Sequence, residues 1–341
     1  MNINSKPFYG GLINLGNTCY LNSCVQILNH TYELNILSSP KIQPYIKQNE
    51  QTIVLREWED LKNTMTCHEL ISPNKFVASV FKICNEHTHL DFGWNPNDIT
   101  EFFLFMIDCF HKSISRKIQT KINGNPENMT DELALKCFHL LKCMYESEYS
   151  EILDIFYGIS VSYITSLDYS INYSIVPENY FVLNLSLPLN INETTPITLY
   201  DCIDIFVKEE PLENENAWFN EKTGRKENVL KCTKFWNFPN ILVITLNRSM
   251  NGTKMNNLIQ FPLNNLDLSK YVVGYNPTSF IYDLYAVGNH YGVLNSGHYT
   301  STVKDKYGNW YTYNDNFIEK IENYTQIINS NAYCLFYRIH Q

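Results

Sequence analysis

Metal-ligand pairs are missing from this 341-residue chain: none of its ten cysteines lies in a C-x-x-C. Their scatter also lacks the regular spacing of a secreted disulfide framework, so a reducing compartment, cytosol or nucleus, is expected. No apolar run is long enough to span a bilayer, and no membrane partner is expected. The opening residues 1–7 are polar, without the apolar stretch of a signal peptide. Positive charge is in deficit: 26 Lys and Arg against 35 Asp and Glu leave a formal net charge of -9. That argues against a general nucleic-acid binder and would suit a basic peptide or protein partner. There is no internal repeat and no long low-complexity linker. With 44% hydrophobic and 18% charged residues, the chain can bury a core for one large domain or two fused lobes.

The pattern changes along the chain. Helical spacing runs through residues 19–28, 53–65, 75–85, 99–110 and 131–145, with loop-like residues 32–51 and a turn over 91–97. Asp98 caps the fourth helix, with Glu101 three residues on as in a capping box. From residue 152 onward, runs rich in Val, Ile, Tyr and Phe are bounded by Asn, Pro and Gly. They read as strands over 155–159, 163–167, 180–187, 229–235, 241–246, 258–261, 282–287, 299–303, 310–313 and 332–339. The expected class is α+β, a helical N-terminal lobe followed by a β-rich C-terminal lobe.

Residues 10–30 read GGLINLGNTCYLNSCVQILNH. Thr18 stands at a helix N-cap, which places Cys19 in the first turn. Unpaired backbone N–H groups and the helix dipole there favour a negative charge, so the thiol is expected to lean toward thiolate. A small buried cysteine would produce the same local pattern. The distinguishing feature lies far away. His298 opens a strand, a turn follows at 305–308, and Asn314 ends the returning strand. The two then lie side by side. An amide there fixes one imidazole nitrogen and leaves the other for a nucleophile, the logic of a Cys-His-Asn triad. An exposed loop histidine and a turn asparagine are the plain alternatives. His290, in a Gly- and Asn-rich stretch, is taken as site-lining rather than as the base.

On these residues the chain resembles the ubiquitin-specific proteases, papain-like cysteine deubiquitinases. GLINLGNTCYLNS matches their cysteine box, and YDLYAVGNHYGVLNSGHYTSTVK…WYTYND with the closing AYCLFYRI matches their histidine box. FPNILVITLNRSM and FPLNNLDLSKY resemble the strand pair before the latter, so the likeness covers residues 10–339. It implies Cys19 as nucleophile, His298 as general base and then acid, Asn314 as third member, Asp315 as its helper, and Asn14 as a donor to the oxyanion. Asp98 and Glu101 match acidic positions that bind the ubiquitin tail, and Tyr299 would wall the channel for its Gly-Gly end. The implied architecture is one catalytic domain over 8–341: a helical thumb (8–145), fingers (146–235) and a palm (236–341). The implied activity is hydrolysis of the bond after the C-terminal glycine of ubiquitin, without a cofactor, by a monomer whose partners are ubiquitin or ubiquitinated proteins. Two other readings remain open: a protease of a ubiquitin-like modifier, and a catalytically silent ubiquitin-binding scaffold.

The chain departs from that pattern in three places. Most family members carry two C-x-x-C pairs at the fingertips for one structural zinc. Here the four positions are Ser166, Tyr169, roughly Asn220 and Thr223, so no zinc is expected. Strand pairing and aromatic packing from Tyr163, Tyr169, Phe181 and Trp218 would hold the fingers instead. The usual Gln-Gln-Asp is Pro96-Asn97-Asp98, and Ser249 replaces an aromatic after Arg248.

Overall fold

A computed structural model describes residues 8–86, 92, 95–188, 196–294 and 296–340. The polar opening and residues 91, 93 and 94 of the expected turn lie outside them. The N-terminal part is helical: α1 (Cys19–Asn29), α2 (Glu50–Cys67), α3 (Asn74–Glu86), α4 (Ile99–Ile114), α5 (Met129–Glu148) and the short α6 (Glu151–Phe156). Local chemistry sets their starts. Asn49 Oδ1 accepts from the Thr52 N–H at 2.9 Å, and Asp98 Oδ1 accepts from Thr100 and Glu101 N–H at 2.7 and 3.1 Å. No reciprocal bond from Glu101 completes a capping box, and its side chain is exposed.

Two segments differ from the sequence pattern. Residues 155–156 end α6, and the strand begins only at Gly158. A short apolar run does not distinguish a buried strand from a buried helix. Here the Arg116–Glu151 pair, at 2.6 and 2.9 Å, anchors the first residue of a helix, whose N-cap Ser150 makes no side-chain cap. In the β-rich half, α7 (Leu199–Val207) starts in a true capping box, with Thr198 and Asp201 bonded reciprocally.

An eight-stranded sheet forms the centre. Its order is Phe317–Ile321, Trp310–Asn314, Ser296–Lys304, Ile281–Val293, Ala332–Ile339, Ile241–Asn247 and Val182–Ser186, with Leu266–Asp267 on the side of Ile281–Val293. The last two strands of that path pair parallel, and the other pairs are antiparallel. Helices α1 to α4 and α6 cover one face, burying Tyr20, Trp58, Phe102, Phe103 and Phe156. The other face packs Leu183, Leu242, Ile244, Tyr282 and Leu335 with α7. Arg338 ties the lobes together, donating to Glu33 at 2.6 and 3.0 Å.

A separate four-stranded sheet runs Asn172–Tyr180, Gly158–Ser166, Val229–Asn237 and Glu210–Leu212. The sequence pattern has no separate strand over 172–179. That strand is an edge, carries Pro177 and has no fully buried residue, so it shows no alternation. The mixed α+β class holds.

Candidate active site

Helix α1 is buried at all eleven residues. Its polar side chains bond inward: Gln26 Nε2 donates to Gly10 O at 2.9 Å and Asn22 Nδ2 to Asp315 Oδ1 at 2.8 Å. The helix thereby locks Cys19 against the strand Ser296–Lys304. Thr18 does not cap with its side chain. Its hydroxyl instead accepts from Leu15 N–H at 3.0 Å and donates to Asn14 Oδ1 at 3.2 Å. Asn14 Oδ1 also accepts from the Gly16 and Thr18 N–H groups, which fixes the loop ahead of Cys19.

The thiol does not lean toward thiolate. Burial pushes the Cys19 thiol up; the Tyr299 backbone N–H pulls it down; Asp315 pushes it up again; and the N–H groups of Tyr20 and Cys19 pull it down. Desolvation and a neighbouring carboxylate outweigh the helix start. Among the described residues no hydrogen bond joins Cys19 to His298.

His298 and Asn314 meet as the hairpin predicts. His298 Nε2 lies 2.6 Å from Asn314 Oδ1, which makes Nε2 the protonated nitrogen and leaves Nδ1 as the basic one. Asp315 follows in a left-handed turn (φ 52°), which aspartate tolerates. That turn points its carboxylate back at the nucleophile loop. Oδ2 accepts from Asn14 Nδ2 at 2.9 Å and lies 4.0 Å from His298 Nε2, while Oδ1 takes Asn22. One carboxylate thus organises two amides and faces the imidazole.

Beside Cys19 lies a cavity of about 290 Å³, walled by Pro96, Asp98, Glu101, His290, Leu294 and Tyr299 among others. Asp98 is fully engaged: besides its cap, Oδ2 accepts from the Tyr299 and Tyr333 hydroxyls at 3.2 and 2.6 Å. Glu101 presents the open carboxylate of the wall. His290 sits on the strand Ile281–Val293 opposite Tyr299, and not in a loop. The two rings are 4.6 Å apart, and burial, followed by Lys254, lowers the His290 pKa to about 4. It is neutral near pH 7 and lines the cavity. Asn22, Tyr333 and Lys254, whose Nζ bonds to His290 O, are site residues that sequence reasoning missed.

Gly297, beside the cavity, is a tight position. A Cβ there would lie 2.2 Å from Tyr291 O and 2.4 Å from His290 Nε2. The backbone oxygen cannot yield, so Gly297→Ala should shift the start of the His298 strand. The expected result is a loss of about 1–3 kcal/mol in stability, from overpacking. A matching loss of turnover should accompany it, read by thermal melting and by kcat. An unchanged kcat would show that the site absorbs the shift.

A family profile described as ubiquitin carboxyl-terminal hydrolase matches residues 10–337. Ubiquitin carboxyl-terminal hydrolase 2 of Homo sapiens is 30% identical over 356 residues, covering 99% of this chain and 56% of that protein. Ubiquitin carboxyl-terminal hydrolase 9 of Arabidopsis thaliana is 40% identical over 147 residues, 42% of this chain and 16% of that one. The chain spans about half the length of the first of these. Among solved structures, the SAGA Ubp8/Sgf11/Sus1/Sgf73 DUB module bound to ubiquitin aldehyde superposes with a TM-score of 0.72 at 21% identity, over 97% of this chain and 70% of that one. At that identity the likeness speaks for the fold. Because the profile runs unbroken from the loop before Cys19 to the closing strand, the chain belongs to the ubiquitin carboxyl-terminal hydrolase family.

Proposed function

We propose that this chain is a cysteine hydrolase that cleaves the bond after the C-terminal glycine of ubiquitin. The observation that carries the reading is the set of contacts through Asp315, which holds Asn14, faces the His298 that Asn314 orients, and acts on Cys19 at the wall of the cavity. His298 Nδ1 takes the thiol proton as substrate approaches, and Cys19 attacks the glycine carbonyl. The developing oxyanion meets the Cys19 N–H and the second hydrogen of Asn14 Nδ2, the first being held by Asp315. His298 then protonates the leaving amine, and water, activated by the same nitrogen, releases the acyl group. The raised thiol pKa keeps the resting nucleophile neutral.

The cleft suits a slender, cationic tail. Glu101 offers an open carboxylate to an arginine, and Asp98 stiffens the wall through its two tyrosines. The tilted His290 and Tyr299 rings and Gly297 line the same cleft, where a glycine of the tail would lie. The thumb, fingers and palm assigned above would hold the folded body of ubiquitin. Among the described residues no disulfide forms, and no helix is long and apolar enough to cross a membrane. Both facts are compatible with action in the cytosol or nucleus.

The test uses ubiquitin carrying a C-terminal thiol-reactive warhead, beside matched ubiquitin-like proteins. An adduct with ubiquitin alone is expected. Reaction with a ubiquitin-like protein in its place would move the substrate. Binding of ubiquitin without any adduct would favour a scaffold.

A further inference from the structure

The hairpin Trp218–Asn220/Arg225–Glu227 is a two-stranded sheet of its own; it shares no backbone ladder with the four-stranded sheet beside it. An isolated hairpin of this kind is marginal in water. In most family members a zinc ion would close this region. The residues at the corresponding positions do not fit one. Ser166 bonds to Asp168 at 2.6 Å, and Tyr169 is turned to Glu209 in a left-handed conformation (φ 59°). Asn220 and Thr223 both donate to a single oxygen, Glu227 Oε1, at 2.9 and 2.8 Å. None offers a thiolate or imidazole.

The contacts that are present converge on Glu227. It sits directly across the hairpin from Trp218. The Trp218 ring lies 5.8 Å from the ring of Tyr173, which belongs to the neighbouring strand Asn172–Tyr180. Hydrogen bonds from Thr223, then from Tyr173 and Asn220, hold the Glu227 carboxyl below the ordinary range. One carboxylate therefore closes the hairpin turn, and Trp218 across from it meets the Tyr173 ring of the adjacent sheet.

We propose that Glu227 is a positioning residue: with Asn220, Thr223 and Tyr173 it forms a polar latch that orients the finger hairpin for the body of ubiquitin, in place of metal ligation. The inference rests on the ubiquitin reading above. The latch has two distinct readouts, amide exchange in residues 218–227 and a KM-against-kcat split. Glu227→Ala should speed that exchange and raise KM for a fluorogenic ubiquitin about three- to tenfold, the worth of one or two hydrogen bonds. Its kcat should hold, as should turnover of a short fluorogenic peptide ending in Gly-Gly, which ends in the cleft. Glu227→Gln, which keeps the accepting oxygen, should recover most of the loss. Tyr173→Phe, a milder variant, tests the sheet-to-hairpin half alone. Unchanged exchange in both Glu227→Ala and Tyr173→Phe overturns the latch. Faster exchange with unchanged KM overturns its positioning role. Loss of protection on adding a zinc chelator to the wild type overturns the replacement of the metal. A wild type that cleaves the peptide but not ubiquitin would sink the substrate reading, while exchange still decides the latch.

Discussion

Cys19→Ala should abolish hydrolysis of a fluorogenic ubiquitin, with a fall in kcat/KM on the order of 10⁴-fold or more, because the covalent route is lost. Binding of ubiquitin should survive. The thiol is a minor part of a cleft whose walls include Pro96, Asp98, Glu101, His290, Leu294 and Tyr299, and alanine leaves α1 packed. Equilibrium binding by fluorescence anisotropy, beside steady-state kinetics, separates the two effects. Residual turnover within about tenfold of the wild type, under 1.4 kcal/mol of barrier, would remove Cys19 from the chemistry. Loss of binding together with a lowered melting temperature would show instead that the substitution unfolds the helix start.

Asp315→Asn should move two measurements in opposite directions. The carboxylate accepts from Asn14 and Asn22 on separate oxygens. An amide can accept on one side only and turns its own N–H toward the other donor, so one of the two partners is released. If that is Asn14, the oxyanion loses an oriented donor, and kcat should fall about 10²- to 10³-fold. The effect on the thiol has the other sign. Burial and Asp315 both raise Cys19, so removing the negative charge lowers its pKa and enlarges the thiolate fraction at a given pH. Alkylation of Cys19 by iodoacetamide should therefore reach its midpoint at lower pH in the variant, even as turnover drops. Lower turnover with an unmoved alkylation midpoint would reduce Asp315 to a scaffold for the two amides.

How far the sequence carries depends on how local each signal is. Cys19 at a helix start and His298 beside Asn314 in a hairpin are patterns of near neighbours, and the structure forms both. The charge state of the thiol is another matter. Helix-start logic favours thiolate, but the opposing terms are burial and a carboxylate from the far end of the chain. The polar side of α1 is settled in the same way: Asn22 and Gln26 have no partner on their own helix until the Asp315 turn and the Gly10 carbonyl arrive to bond them. Tyr333 bonds an aspartate 235 positions away, and nothing local marks it. Residues 155–157 show the ambiguity of a short apolar run. The fingertip aromatics were only half legible. Trp218 does pack, but on Tyr173; Phe181 lies against Tyr157 at 3.8 Å, and Tyr169 is exposed.

The strand Ala332–Ile339 lies between Ile281–Val293 and Ile241–Asn247, at the heart of the sheet, and Asn14 bonds to a residue 301 positions later. On a ribosome Cys19 emerges well before this strand, which joins two others at the centre of the sheet. At about 5–20 residues per second, the cysteine waits roughly 15–60 s before the site can assemble. A product cut short before residue 332 keeps its thiol but lacks a central strand, and it displays two raw sheet edges of the kind that invite aggregation. A copy that stops short of residue 332 therefore lacks the sheet on which the proposed site is assembled.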